Sequence, residues 1–450
     1  MKQPQDRLRR LVTIGGFLTV TAAAFILLGP PSSAGGEDRF RALTPPGATV
    51  SEPFVAPAGA SPTQQEIARR FEAVRLDRAD VAALAALGSA YLQEVRETGD
   101  PTGYGRAQAA LDEALRLDPE NVDALVGRGS LLLAQHRFDE ALRVGQQATA
   151  LAPQTARVRG VIVDAQTELG SYDEAVASTQ AMVDLRPDLA SYSRVSYQRE
   201  LRGDVEGAID AMSRAFQAST GSGVENREYL RVLLGDLHLL KGDAASAEQI
   251  QRDSLAASPD FVWALAGLAR ARAAQGDLDE AIELLEQAVN TLPLPEFVVA
   301  LGETQDAAGR STEAGQTYEL ARAIQKLFEV NGSDVDLDLA LFEADHGDPA
   351  TAVELARRAY DAAPNVKAAD TLAWALLKDG RAVDARPYAD EALRLGSPYG
   401  RFHYHAGMIA SALGDMDAAR EHLANAIRLD PHFSPLHAPR AQAALGELGG

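Results

Sequence analysis

Apolar positions along this chain recur at the three- and four-residue spacing of a single helix face. Between residues 63 and 76, Ile67, Phe71 and Val74 fall at spacings of four and three, which predicts a helix with one buried side. From Val262 to Pro293 the pattern is doubled. Leu265, Leu268 and Ala269 mark one helix, Ala281, Leu285 and Ala288 mark a second, and Gly276-Asp277 makes the turn between them. Glycine accepts the left-handed backbone that ends the first helix, and Pro293 cannot continue the second.

The pair recurs along most of the chain. Glycines stand at 170, 203, 242, 276, 309, 347, 380 and 414, with spacings of 33, 39, 34, 33, 38, 33 and 34 residues. Each is followed five residues later by an alanine: Ala175, Ala208, Ala247, Ala281, Ala314, Ala352, Ala385 and Ala419. That residue has to be small because the two helices cross there. A two-helix unit of this length cannot bury its apolar face alone, so the units must stack.

These positions resemble the tetratricopeptide repeat, whose usual length is 34 residues. The resemblance rests on Leu125, Gly129, Leu132, Phe138, Ala141, Ala148 and Pro153 in the second unit. In the last it rests on Ala406, Gly407, Ala410, Ala419, Leu423, Ala426 and Pro431. It spans Val81 to Pro431 and implies an all-α, right-handed superhelical solenoid of about ten antiparallel helix pairs. The helix over 63–80 then reads as an N-terminal cap, and 432–450 as a C-terminal cap or tail whose repeated prolines (Pro431, Pro435, Pro439) suggest an irregular docked segment. Three departures mark places where the superhelical twist could change: an insertion around Thr98–Tyr104, Thr220-Gly221-Ser222-Gly223 in place of a proline, and a long second helix from about Thr312 to Val330.

Composition agrees with this picture. Hydrophobic residues make up 46% of the 450 positions but aromatics only 6%, which suits helices packed closely through small side chains. Only five lysines occur against many arginines, a hint of a GC-rich bacterial source. Net charge is −21; residues 1–34 contribute +3 (Lys2, Arg7, Arg9 and Arg10 against Asp6), so the remainder carries −24. So acidic a body argues against nucleic acid and anionic membrane surfaces as partners. The absence of cysteine excludes disulfides, thiolate metal sites and a cysteine nucleophile.

The N-terminus carries a different signal. Arg7, Arg9 and Arg10 precede an uncharged apolar run from Leu11 to Leu28, then Gly29-Pro30-Pro31 and the small residues Ser32-Ser33-Ala34. This order is that of a secretory signal, and the run is also long enough for an uncleaved membrane anchor. Residues 1–34 are therefore expected to direct export, with the membrane engaged only through this segment. Residues 35–62, rich in Pro, Ala and Gly, read as a flexible linker.

Chemistry is sparse. No Gly-rich phosphate loop, His-Glu-x-x-His or Gly-x-Ser-x-Gly motif occurs, and no enzymatic activity or cofactor is expected. Asp334, Asp336 and Asp338 alternate like the start of a calcium loop, but Leu339 stands where glycine is needed. A helix start capped by Ser333 explains the run better. Five of eight histidines (His403, His405, His422, His432 and His437) lie in the last 48 residues and raise metal handling as an alternative. His403 and His405 point to different faces of one helix, which weakens it.

The resemblance implies that residues at fixed positions of each unit's first helix face the concave side of the superhelix. Tyr197, Tyr229, Trp263, Arg270, Trp374, Lys378 and Tyr404 fall at these positions. Aromatic rings beside basic side chains give the contact area and carboxylate pairing of a peptide groove. A register shifted by one would instead place the rings in the core. The sequence thus predicts a non-catalytic scaffold of the bacterial cell envelope that binds a protein or peptide in its groove. A structural spacer within a membrane complex is a further alternative.

Overall fold

The structure is a computed structural model and describes residues 36–48, 52–330 and 336–449. The expected signal or anchor segment 1–34, with Ser333 and Asp334, lies outside the described residues. Helices α1 (Gly36–Ala42) and α2 (Pro62–Leu76) precede ten antiparallel pairs. Units 1 to 3 are α3 (Val81–Thr98) with α4 (Gly103–Leu117), α5 (Val122–Ala134) with α6 (Phe138–Leu151), and α7 (Ala156–Glu168) with α8 (Tyr172–Leu185). Units 4 to 6 are α9 (Leu189–Glu200) with α10 (Val205–Ala218), α11 (Val224–Leu240) with α12 (Ala244–Ala257), and α13 (Val262–Ala274) with α14 (Leu278–Thr291). Unit 7 pairs α15 (Pro295–Ala307) with α16 (Ser311–Val330), and unit 8 pairs α17 (Asp336–His346) with α18 (Pro349–Ala362). Units 9 and 10 are α19 (Val366–Lys378) with α20 (Ala382–Ala392) and α21 (Gly400–Ala412) with α22 (Met416–Leu429), and α23 (His437–Gly449) closes the chain. The first helix of each unit is called helix A, the second helix B.

The local rules read from the sequence operate here. All eight alanines that follow the turns are at most 1% exposed, because helices A and B cross on them. In several units a Gly-Asp pair divides the work of the turn. The glycine ends helix A, and the carboxylates of Asp204, Asp243, Asp277 and Asp415 accept backbone N–H groups of the next helix B, each such cap contributing about 1 kcal/mol. Unit 2 has His136 in the glycine position, held at φ 57°, and unit 8 departs in another way. Gly347 does not take the left-handed conformation: helix A runs up to His346, and Asp348 caps helix B from extended backbone directly before Pro349.

Two segments differ from expectation. Residues 36–48 are not a flexible linker. Phe40 and Leu43, three apart on and just beyond α1, are buried; the Phe40 ring stacks on Phe71 at 5.4 Å, and the Tyr91 hydroxyl donates to the Leu43 carbonyl at 2.8 Å. The proline-rich composition hid a small apolar face that extends the N-terminal cap. The C-terminal segment is also more regular than expected. It is helical from His437, with Pro439 in the first turn, where its missing N–H costs nothing.

The solenoid winds tightly enough for successive turns to touch. The A–B turn of a unit meets the loop that ends the unit five places further on. Gly99 lies against Leu292, Gly170 against the Pro364 carbonyl, Gly203 against the Gly396 carbonyl and Gly242 against Pro431. Hydrogen bonds stitch this seam. Asn365 donates to the Glu168 carbonyl (2.8 Å), the Val366 N–H to the Tyr172 hydroxyl (2.9 Å), Ser397 to the Leu201 carbonyl (2.6 Å) and Tyr399 to Glu200 (2.8 Å). Tyr172, Leu201, Val366 and Phe402 form an apolar cluster beneath them. An open solenoid joins only neighbouring units; here units 3 and 4 are bound directly to units 9 and 10.

Candidate functional site

Because units repeat at about 34 residues, equivalent side chains on consecutive A helices come into register. Tyr229, Trp263 and Phe297 form an edge-to-face ladder with ring centroids 5.6 and 5.0 Å apart. Below it, Arg270 of unit 6 reaches Asp236 of unit 5 at 2.7 Å. Tyr229 keeps 40% of its surface exposed, Trp263 is half-buried and Arg270 is open to solvent. This part of the expected set lies together on the helix-A face. Phe297 was not anticipated, since, counted from its unit's turn glycine, it falls one position beyond the equivalent of Trp263; it is itself buried, at 2% exposure. Although its side chain is exposed, desolvation by the surrounding concave wall raises the Glu296 carboxyl above its ordinary value, and Asp338 adds to that effect.

The other expected residues are placed differently. Trp374 and Tyr404 are not groove anchors open to a partner: they are only 3% and 4% exposed. The Trp374 indole stacks on His405 at 4.1 Å and donates to Asp345 at 2.9 Å, and Tyr404 packs against Phe433 and His437. The C-terminal segment covers both. Lys378 sits at the edge of this cluster, 3.5 Å from Asp345 and 5.0 Å from the Trp374 ring centre.

Tyr197 belongs to the seam. Lys367 of unit 9 lies 5.1 Å from its ring centre. Burial works against the Lys367 charge, but Tyr197, Glu168 and Glu200 more than offset it and hold the ammonium above the ordinary lysine range. Burial and the nearby Glu200 likewise push the Tyr399 hydroxyl well up. A concave position in unit 4 is thus consumed by unit 9, which a register counted along one strand of repeats does not reveal.

The histidines do not converge. Nδ1 of His403 and of His422 face each other at 3.3 Å, His405 pairs with the buried Asp370 at 2.9 Å, and His437 approaches Asp345 at 3.7 Å. Among the described residues no group of three or more histidine and acidic side chains is placed to hold a metal ion. No helix among them is long and apolar enough to cross a membrane. The helix-A face of units 1 and 2 carries a feature the sequence analysis passed over, an open cleft of about 700 Å³ lined by small residues including Ala82, Ala85, Ser89, Gly127 and Ser130. Small side chains at those concave positions were the available signal.

The family models agree with this architecture. One tetratricopeptide-repeat family model matches residues 102–156 and 371–432, and a second matches 132–195 and 238–297. Over 224 residues, 50% of this chain, the sequence is 26% identical to cellulose synthase 1 operon protein C of Komagataeibacter xylinus, but the match spans only 14% of that protein. Among solved structures, the Cut9–Hcn1 hetero-tetramer of the APC/C aligns over 86% of this chain and 83% of its own, at 15% identity and a TM-score of 0.40. A tetratricopeptide repeat protein from Parabacteroides merdae aligns over 54% of this chain and 98% of its own, at 16% identity and a TM-score of 0.40. The matched family models, the ten helix pairs and the buried alanine at each crossing identify this chain as a tetratricopeptide-repeat protein.

Proposed function

We propose that this chain is a non-catalytic protein-interaction scaffold of the bacterial cell envelope, holding an extended segment or helix of a partner on the helix-A face of units 5 to 7. The reading is carried by Tyr229 and Trp263, which keep aromatic surface in contact with water against the buried Phe297 ring, on the same face as the guanidinium of Arg270. Aromatic anchors with a nearby arginine are the side chains that dominate the affinity of protein interfaces. Glu296 has no ion pair among the described residues, which favours a partner segment that brings a basic side chain. The charged, apolar and small-residue order of positions 1–34 supports export.

The test is a crosslinked pull-down of the full-length protein from its native envelope, compared with the double variant Tyr229→Ala, Trp263→Ala. The expected result is one dominant partner that the variant loses while its melting temperature stays within a few degrees. Undiminished capture by a folded variant would refute the assignment of this face.

A further inference from the structure

The concave positions of units 8 to 10 already hold an occupant, and it is the chain itself. After α22, the Asp430 carboxylate accepts the Gly400 N–H at 3.4 Å and the chain crosses toward the helix-A face. His437 arrives there only 4% exposed. Its ring stacks on Tyr404 (5.5 Å, 21°), lies edge-on to Trp374 (6.3 Å, 64°) and brings Nε2 within 3.7 Å of Asp345. Phe433 adds a second ring 5.7 Å from Tyr404.

These contacts belong to helix A of three successive units: Asp345 in unit 8, Trp374 in unit 9 and Tyr404 in unit 10. A helix that only sealed the end of the stack would touch the last unit alone. The later part of α23 does perform that sealing role. Ala441, Leu445 and Leu448 join the same apolar cluster as Leu423 and Ala426 of α22, and the Leu448 carbonyl accepts from Arg420 at 2.8 Å. The first turn of α23 and the loop before it do something else. They lie along groove positions as a bound peptide would, offering rings to aromatic side chains and prolines at 431, 435 and 439.

Beyond Pro431, which lies against Gly242 of unit 5, the segment is gripped only from the side of units 8 to 10. Opposite units 8 to 10, a cavity of about 470 Å³ separates it from the helix-A face of units 6 and 7, where Ala269, Arg270, Ala273, Glu303 and Thr304 line the wall. His432 and Phe433 border this cavity and stay half-exposed. The segment therefore has room to leave its place without the α22–α23 contact being broken.

We propose that residues 431–440 are an internal ligand of the concave face of units 8 to 10. They open locally to admit a partner's proline-containing segment, which sets an aromatic or imidazole ring between Trp374 and Tyr404 within reach of Asp345. The entry of a partner rests on the scaffold function proposed above, but the opening and the peptide site are read without that partner, so each can fail separately.

Hydrogen exchange on the full chain tests the opening. Amides of residues 432–438 should exchange at least about tenfold faster than those of 441–447, since local opening and cap release have different free energies. Equal rates across both stretches would make the segment an ordinary part of the cap and overturn the proposal. The site itself is tested with a synthetic peptide of residues 429–442 as probe. A Trp263→Phe background leaves Trp374 as the sole tryptophan reporter. Adding Phe433→Ala and His437→Ala should produce a saturable change in Trp374 emission, with binding at least about tenfold tighter than to the chain that retains Phe433 and His437. A folded variant showing no saturable change overturns the proposal. So does a variant that unfolds, because a ligand can be removed without losing its receptor.

Discussion

The seam can be separated from the repeats by comparing glycines that share one conformation and differ in one neighbour. Gly203 and Gly276 both end helix A with positive φ, 78° and 86°. Replacing either with alanine forces a side chain into the left-handed region at a cost of about 1–2 kcal/mol. At Gly276 the added Cβ meets nothing within 4 Å, so that cost is the whole effect. At Gly203 the Cβ would stand 2.7 Å from the Gly396 carbonyl oxygen, backbone against backbone, and the turns must move apart. Parting them there stretches the hydrogen bonds from Ser397 to Leu201 and from Tyr399 to Glu200. At about 1 kcal/mol each, Gly203→Ala should exceed Gly276→Ala by about 1–3 kcal/mol. Urea denaturation followed by far-UV circular dichroism and tryptophan emission gives both values, and small-angle scattering of the two variants should show expansion for Gly203→Ala alone. Equal destabilisation and equal dimensions would mean that the seam carries no energy.

Further outcomes follow from single sites. Lys367→Met removes the cation that Glu168 and Glu200 surround in the seam and should cost about 3 kcal/mol in denaturant unfolding, as expected when one partner of an enclosed charge group is lost. His136→Gly relieves a non-glycine residue at φ 57° and should raise stability by about 0.5–1 kcal/mol in the same assay, with a loss of stability arguing that the His136–Phe138 ring contact matters more. Trp374→Ala should destabilise by about 3–5 kcal/mol, as removal of a core ring does, rather than act as a clean binding variant. Burial, with help from His422 and Arg428, lowers His403 to about 4. It is neutral in the fold, so its contribution is complete above about pH 6.5 and is lost as pH falls toward 4. The melting temperature should therefore fall more steeply over that window in the parent protein than in His403→Gln.

Much of the fold could be read from the chain because its rules are local. A glycine–alanine pair five residues apart is a turn and a helix crossing in the same unit, and all the information sits within one repeat. What could not be read depends on the turn of the superhelix. Gly170 and Gly276 look identical in sequence, and both are left-handed. Only the winding of the stack brings the Pro364 carbonyl to the first and leaves the second open. Tyr197, Trp374 and Tyr404 were placed on helix A correctly, but their neighbours come from elsewhere: Lys367 from five units on, and His437 from beyond the array.

This difference bears on function as well as folding. In an open solenoid every concave position is equally available, and a partner site could be read from side-chain chemistry alone. Here the seam uses concave positions of unit 4, and the C-terminal segment uses those of units 8 to 10. The cleft of units 1 and 2 and the helix-A face of units 5 to 7 stay open, and only the second presents aromatic rings, Tyr229 and Trp263, to solvent. Availability, set by winding and by self-contact, thus selects among sites that composition makes equivalent. That is why Trp263 and Trp374, the chain's two tryptophans, should respond in opposite ways to replacement: the first losing a partner, the second losing the fold.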